Sequence, residues 1–102
     1  MSSRHLLVVV ANPAVSTTLG WPVGFWASEL IHPYHAFVTA GHRVTIASPA
    51  GGRVELDAYS DPRDPSGYSK DDRLSLDYLG RGDFTALLGA TPALGSLDLS
   101  RF

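Results

Sequence analysis

Two apolar strands bracket one helix in the first half of this chain, and that order constrains the fold more than any other feature. His5 to Asn12 (HLLVVVAN) is an unbroken apolar run rich in β-branched Val. Such a run is the pattern of a strand covered on both faces and central in its sheet. Asn12-Pro13 stops it, and Gly20 and Pro22 punctuate the loop that follows. A helix is predicted from about Gly24, because Ala27, Leu30, Ile31, Tyr34, Phe37 and Val38 recur at three- and four-residue spacing and form one apolar face. Pro33 lies inside it and predicts a kink or a break around Ile31 to Pro33. Gly41 supplies the left-handed conformation that ends the helix. Arg43 to Ser48 (RVTIAS) then reads as a second strand, with Ala50-Gly51-Gly52 turning the chain away. Strand, helix and strand in this order make a parallel βαβ unit, whose ligands gather at the carboxyl ends of its strands. Glu29, at the head of the helix near Trp21, Phe25 and Trp26, falls close to that edge.

The second half is less regular. Val54-Glu55-Leu56 reads as a short edge strand, and the polar stretch from Asp57 to Ser69, with Pro62, Pro65 and Gly67, as a surface loop. Ser69 is placed to cap a helix with a thin apolar stripe of Leu74, Tyr78 and Leu79, and a second short helix is predicted from Asp83 to Leu88. The tail from Thr91 to Phe102 has no assigned element, and nothing in it is expected to bury Leu99 or Phe102. Two parallel strands leave unpaired edges and a partly bare apolar face, so a further polypeptide or a second copy is expected to complete the sheet.

Composition narrows the function classes. At 102 residues, 44% of them hydrophobic, the chain is globular material for one domain or part of one. Eight Lys plus Arg against ten Asp plus Glu leave a net charge of -2, with no basic cluster to follow a phosphate backbone, so nucleic acid is not an expected partner. The run from Leu6 to Ala11 is too short to span a membrane and has no cleavage pattern after it, so a cytoplasmic protein is expected, with no membrane partner. There is no cysteine, hence no disulfide framework and no thiolate metal site.

Gly24-Phe25-Trp26, Glu29-Leu30, His32-Pro33-Tyr34, Phe37, Ala40-Gly41, Val44, Ala47-Ser48-Pro49, Gly51-Gly52, Asp57 and Thr91-Pro92-Ala93-Leu94 run in order along nearly the whole chain. In these residues the sequence resembles the ThiJ/PfpI family of the glutamine-amidotransferase-like superfamily, and within it the larger members similar to glyoxalase III and the chaperone-deglycases. The resemblance implies an α/β fold in which residues 1–102 form the N-terminal half of a flavodoxin-like, glutamine-amidotransferase-like sandwich, a parallel sheet flanked by helices. Family members run to about twice this length. Their next segment carries a third strand and a nucleophile elbow with Cys, which the likeness assigns here to a C-terminal polypeptide acting as partner. Glu29 matches the Glu that stands beside that Cys, as a protonated carboxyl that hydrogen-bonds the thiolate and lowers its pKa. A dry aromatic surrounding of Trp21, Phe25 and Trp26 would hold such a carboxyl neutral. The implied chemistry is thiolate attack on a small carbonyl substrate by a heteromer that assembles further, with no cofactor, while the isolated chain is not expected to be an enzyme.

Other readings compete. A Glu on a helix is ordinarily solvated, and the aromatic residues are ordinarily packing. A chaperone or stress protein of the same fold, or a self-assembling module whose two copies pair their sheets, would need no chemistry from Glu29. His32 and His35 stand three apart, as metal ligands on a helix do, but Pro33 lies between them and no third ligand follows, so surface histidines are expected and no metal. Gly51-Gly52 lacks the rest of a phosphate loop and reads as a plain turn. Asp61, Asp64, Asp71 and Asp72 read as a solvated acidic scatter.

Overall fold

A computed structural model describes residues 3–15 and 22–102. Gly20 and Trp21, which figure in the sequence reading, lie outside the described residues. The elements are β1 (His5–Val9), β2 (Ala14–Val15), β3 (Pro22–Val23), α1 (Ala27–Thr39), β4 (Arg43–Ala47), α2 (Arg73–Leu79) and α3 (Gly82–Gly89), with single 3-10 turns at Ala58–Ser60, Leu94–Ser96 and Leu99–Arg101. β1 and β4 pair in parallel, with His5 opposite Arg43 and Val9 opposite Ala47. The βαβ unit is therefore present, and the chain has an α/β fold.

Each strand points alternate residues to opposite faces. Val8, Val10, Val44 and Ile46 face α1, whose Ala27, Leu30 and Ile31 are buried against them. Complete burial of a side chain such as Ile31 is worth about 1.5–3 kcal/mol. Tyr34, Phe37 and Val38 continue the stripe and are half-buried, so the apolar face read from the sequence is the face that packs. Tyr78, Leu79, Phe84 and Leu88, from α2 and α3, close the same core.

Several expectations are corrected. β1 ends at Val9, although the Val10 amide still donates to the Ala47 carbonyl (2.9 Å). Among the described residues it pairs with β4 on one edge only, and Val9 is 46% exposed. The segment read as loop after Asn12 holds the short antiparallel pair β2–β3. α1 begins at Ala27, three residues later than Gly24, because the Phe25 backbone is engaged in a bridge to Leu56. Val54-Glu55-Leu56 contributes only that bridge and is not a full strand.

Pro33 does not break α1, which continues from Ala27 to Thr39. Its side chain is exposed, and Leu30 and Ile31 before it and Tyr34 after it pack on the core and hold the helix across it against the lost hydrogen bond and the crowding of the ring. The amide it lacks is the one that would meet the Glu29 carbonyl four residues back. Gly41, at φ +90°, ends the helix as expected: its amide donates to Val38 and the His42 amide to Phe37, which satisfies two terminal carbonyls. α2 is capped not by Ser69 but by Asp72, whose carboxylate accepts from the Ser75 amide (3.2 Å). Ser69 instead donates its hydroxyl to the Tyr59 carbonyl (2.6 Å). In the tail, Phe102 finds the ring of His5, with centroids 4.5 Å apart, whereas Leu99 is 59% exposed.

Candidate functional site

A cavity of about 460 Å3 opens at the carboxyl end of β1. Its walls are Val8 to Ala11, the Gly24-Phe25-Trp26 turn, Glu29 and Leu30 from the first turn of α1, and Asp57. Strand and helix meet there because the turn before α1 is tied to a distant segment: the Phe25 amide donates to the Glu55 carbonyl (3.2 Å), and the Asp57 amide donates to the Phe25 carbonyl (2.8 Å). Gly24 permits this approach, since it lies where the Glu55 backbone comes closest.

Glu29 is the third residue of α1, where a carboxylate complements the positive end of the helix dipole. It lines the cavity, but its side chain is exposed, and among the described residues it makes no hydrogen bond or ion pair. Phe25 and Trp26 stand beside it, half-buried, yet they do not give it the dry surrounding expected from the sequence. Asp57 is the second carboxyl group of the cavity, and sequence reasoning gave it no site role. It is half-buried, accepts from the Tyr59 amide (3.1 Å), and its own carbonyl accepts from the Ser60 hydroxyl (2.7 Å). Its only signal was its place among the matched residues, because the bridge that carries it to Phe25 joins segments some thirty residues apart.

A second feature at this end of the sheet was also missed. Asn12 donates its amide to the Ser48 hydroxyl and the Gly51 carbonyl (both 3.1 Å) and accepts from the Ala50 amide (2.7 Å). Ser48, completely buried, pairs with the hydroxyl of buried Thr91 (2.7 Å), which also bonds the Gly52 carbonyl. This network fastens the ends of both strands to the Gly51-Gly52 turn, where Gly51 and Gly52 stand at φ +75° and +81°. It is a turn, as expected, and its polar groups are used up internally.

The histidines serve packing. His32 Nε2 bonds Asp72 (2.8 Å) and His35 Nδ1 bonds the Tyr78 hydroxyl (2.9 Å), joining α1 to α2. Among the described residues no group of three or more His, Asp or Glu could hold a metal ion. In the acidic loop, Asp61 is held bidentately by Arg63, whose guanidinium keeps the carboxyl below the usual range despite partial burial. Among the described residues no helix is long and apolar enough to cross a membrane.

No protein-family model and no curated protein matches the chain. Among solved structures it is similar to the Rapid Encystment Protein 24 kDa of Francisella tularensis, at 20% identity and a TM-score of 0.78, over 97% of this chain and 41% of that one. It is also similar to the crystallographic structure of APC35852, at 28% identity and a TM-score of 0.61, over 91% of this chain and 36% of that one. At 20% identity the first likeness shows the fold alone. The chain spans less than half the length of either structure.

Proposed function

We propose that this chain supplies the carboxyl side of a cysteine-dependent site of the ThiJ/PfpI type, with Glu29 beside a Cys carried by polypeptide outside these 102 residues. The observation that carries the reading is that Glu29 and Asp57 line one cavity at the carboxyl end of β1, where open α/β sheets keep their ligands. Among the described residues β1 has a neighbour on one edge only, and with Val9 exposed this supports a further strand beside it, which, running parallel, would bring its own carboxyl end to the same cavity. Covering that edge would also exclude water from Glu29, so that the partner would contribute to a dry surrounding.

The reaction is attack of the thiolate on the aldehyde carbon of a small 2-oxoaldehyde. The Glu29 carboxyl donates a proton to the developing oxyanion, which gives a hemithioacetal; the carboxylate then carries the proton from that carbon to the neighbouring carbonyl carbon through an enediol, and water hydrolyses the resulting thioester to the 2-hydroxy acid and frees the thiol. Atoms balance with that one water, because the aldehyde carbon is oxidised as the neighbouring ketone is reduced. The test is to isolate the native assembly, identify any companion polypeptide by intact mass, and treat it with iodoacetamide. A single alkylated Cys with loss of 2-oxoaldehyde turnover supports the proposal. A homomeric species, free of any cysteine-bearing companion, favours the self-assembling module instead.

A further inference from the structure

The cavity at the end of β1 is larger than the reacting carbonyl groups need. At about 460 Å3 it falls in the range of pockets that enclose whole small molecules, so it has room for the rest of the substrate as well. Val8, Leu30, Phe25 and Trp26 give that remainder apolar walls, which suit the C–H side of a carbon chain. Besides Glu29, the only carboxyl group among the described lining residues is that of Asp57, and none of these residues is basic.

Asp57 is a fixed acceptor. Its amide donates to the Phe25 carbonyl (2.8 Å), and its carbonyl accepts from the amide (3.0 Å) and the hydroxyl (2.7 Å) of Ser60, which is buried. These bonds hold the residue in place at the cavity wall, as a recognition group requires. Its carboxylate takes the Tyr59 amide at Oδ1 (3.1 Å), and no other donor among the described residues bonds it. A carboxylate offers about four lone-pair sites and no proton, so capping the turn at Ala58–Ser60 leaves most of its accepting capacity unused. What it can recognise in a ligand is therefore an O–H or an N–H. Amines condense with aldehydes, so the lasting donor on a 2-oxoaldehyde is a hydroxyl. A phosphate or carboxylate on the substrate would face Asp57 as a like charge, with no basic side chain among the described wall residues to offset it.

We infer that the cavity selects a 2-oxoaldehyde with an uncharged, hydroxylated carbon chain, one hydroxyl of which donates to the Asp57 carboxylate. The inference rests on the reading of Glu29 as the acid–base group, and it names the substrate class of that site. Glu29 acts on the carbonyl end as a protonated carboxyl, while Asp57 holds the far end and takes no part in proton transfer.

The test uses the native assembly and probes of equal chain length: 3-deoxyglucosone, which is hydroxylated, 2-oxohexanal, which lacks those hydroxyls, and 5,6-dioxohexanoate, which ends in a carboxylate. Asp57→Asn keeps an oxygen for the Tyr59 amide, so the turn stays capped, and sets an amide N–H where the substrate hydroxyl would donate. The ratio of kcat/KM for 3-deoxyglucosone to that for 2-oxohexanal should fall roughly 10-fold or more in the variant, mainly through KM, as expected for one hydrogen bond to a charged group. Comparing that ratio between wild type and variant cancels the probes' own reactivity. The carboxylate probe should be the poorest for the wild type and gain on the others in the variant. In the wild type, saturation-transfer NMR should show 3-deoxyglucosone bound more tightly than 2-oxohexanal, a readout that needs neither the variant nor turnover. The reverse order of binding, or an unchanged ratio in a variant shown to be folded by circular dichroism, overturns the inference. The expected order of binding without any turnover supports it while removing the enzymatic proposal. Glu29-dependent turnover with a ratio indifferent to Asp57→Asn keeps that proposal and overturns this inference.

Discussion

A Cβ atom on Gly24 would stand 1.9 Å from the carbonyl oxygen of Glu55. Because that contact is with backbone, the strand-like docking of the turn on residues 55–57 depends on a residue without a side chain. Gly24→Ala must push the two segments apart, and with them the bonds between Phe25, Glu55 and Asp57. The expected cost is about 1–3 kcal/mol of unfolding free energy. Hydrogen exchange should show the Phe25 and Asp57 amides losing protection well before those of β4. Unchanged protection at both amides would mean that the two cavity walls are not joined through this turn.

Asn12 makes three hydrogen bonds that fasten the end of β1 to the turn after β4. Removing them leaves the Gly51 carbonyl and the Ala50 amide without this partner. Asn12→Ala should therefore lower stability by about 1–3 kcal/mol in urea denaturation, with an unchanged slope. Asn12→Asp should not restore it, because a carboxylate has no N–H to give Gly51. Full stability of either variant would remove the network from the account.

Asp72 links acid sensitivity to the contact between α1 and α2. Burial by itself would raise its pKa. Hydrogen bonds from the Ser75 hydroxyl, the His32 ring and the Ser75 amide outweigh that and hold it below the usual value. A carboxyl depressed in the folded state contributes stability that is present above its unfolded pKa, about 3.9, and that is lost as pH falls through the lower folded value. Asp72→Ala should cost about 1–2 kcal/mol near neutral pH, the worth of a helix cap and its attendant bonds. The gap between wild type and variant should close only below about pH 4. A gap that persists into strong acid, or closes already near pH 6, would contradict the assignment.

How far the sequence disclosed this structure depended on how local each cause is. β1, α1 and β4 were legible because Val-rich runs and a three-to-four spacing encode burial within a few residues, and Gly41 because a single φ requirement marks the helix end. Pro33 misled because the local penalty at an exposed position is outweighed by the tertiary clamp of Leu30 and Ile31. Ser69 and Asp72 both suit a cap, and only the packing of α2 chooses between them. The bridge from Phe25 to Leu56 and the Asn12–Ser48–Thr91 network join residues far apart in the chain, which no local pattern reports. Glu29 was legible as a cavity residue, but Asp57 opposite it came only with the fold.

The central claim is that the Glu29 carboxyl exchanges a proton with a substrate held in the cavity at the end of β1. The most direct measurement is the rate of 2-oxoaldehyde consumption by the native assembly carrying Glu29→Gln, with folding checked by circular dichroism. Loss of a general acid–base group should cut kcat/KM by roughly 100-fold or more while the fold is unchanged. A well-folded Glu29→Gln assembly that turns over at the wild-type rate would contradict the account.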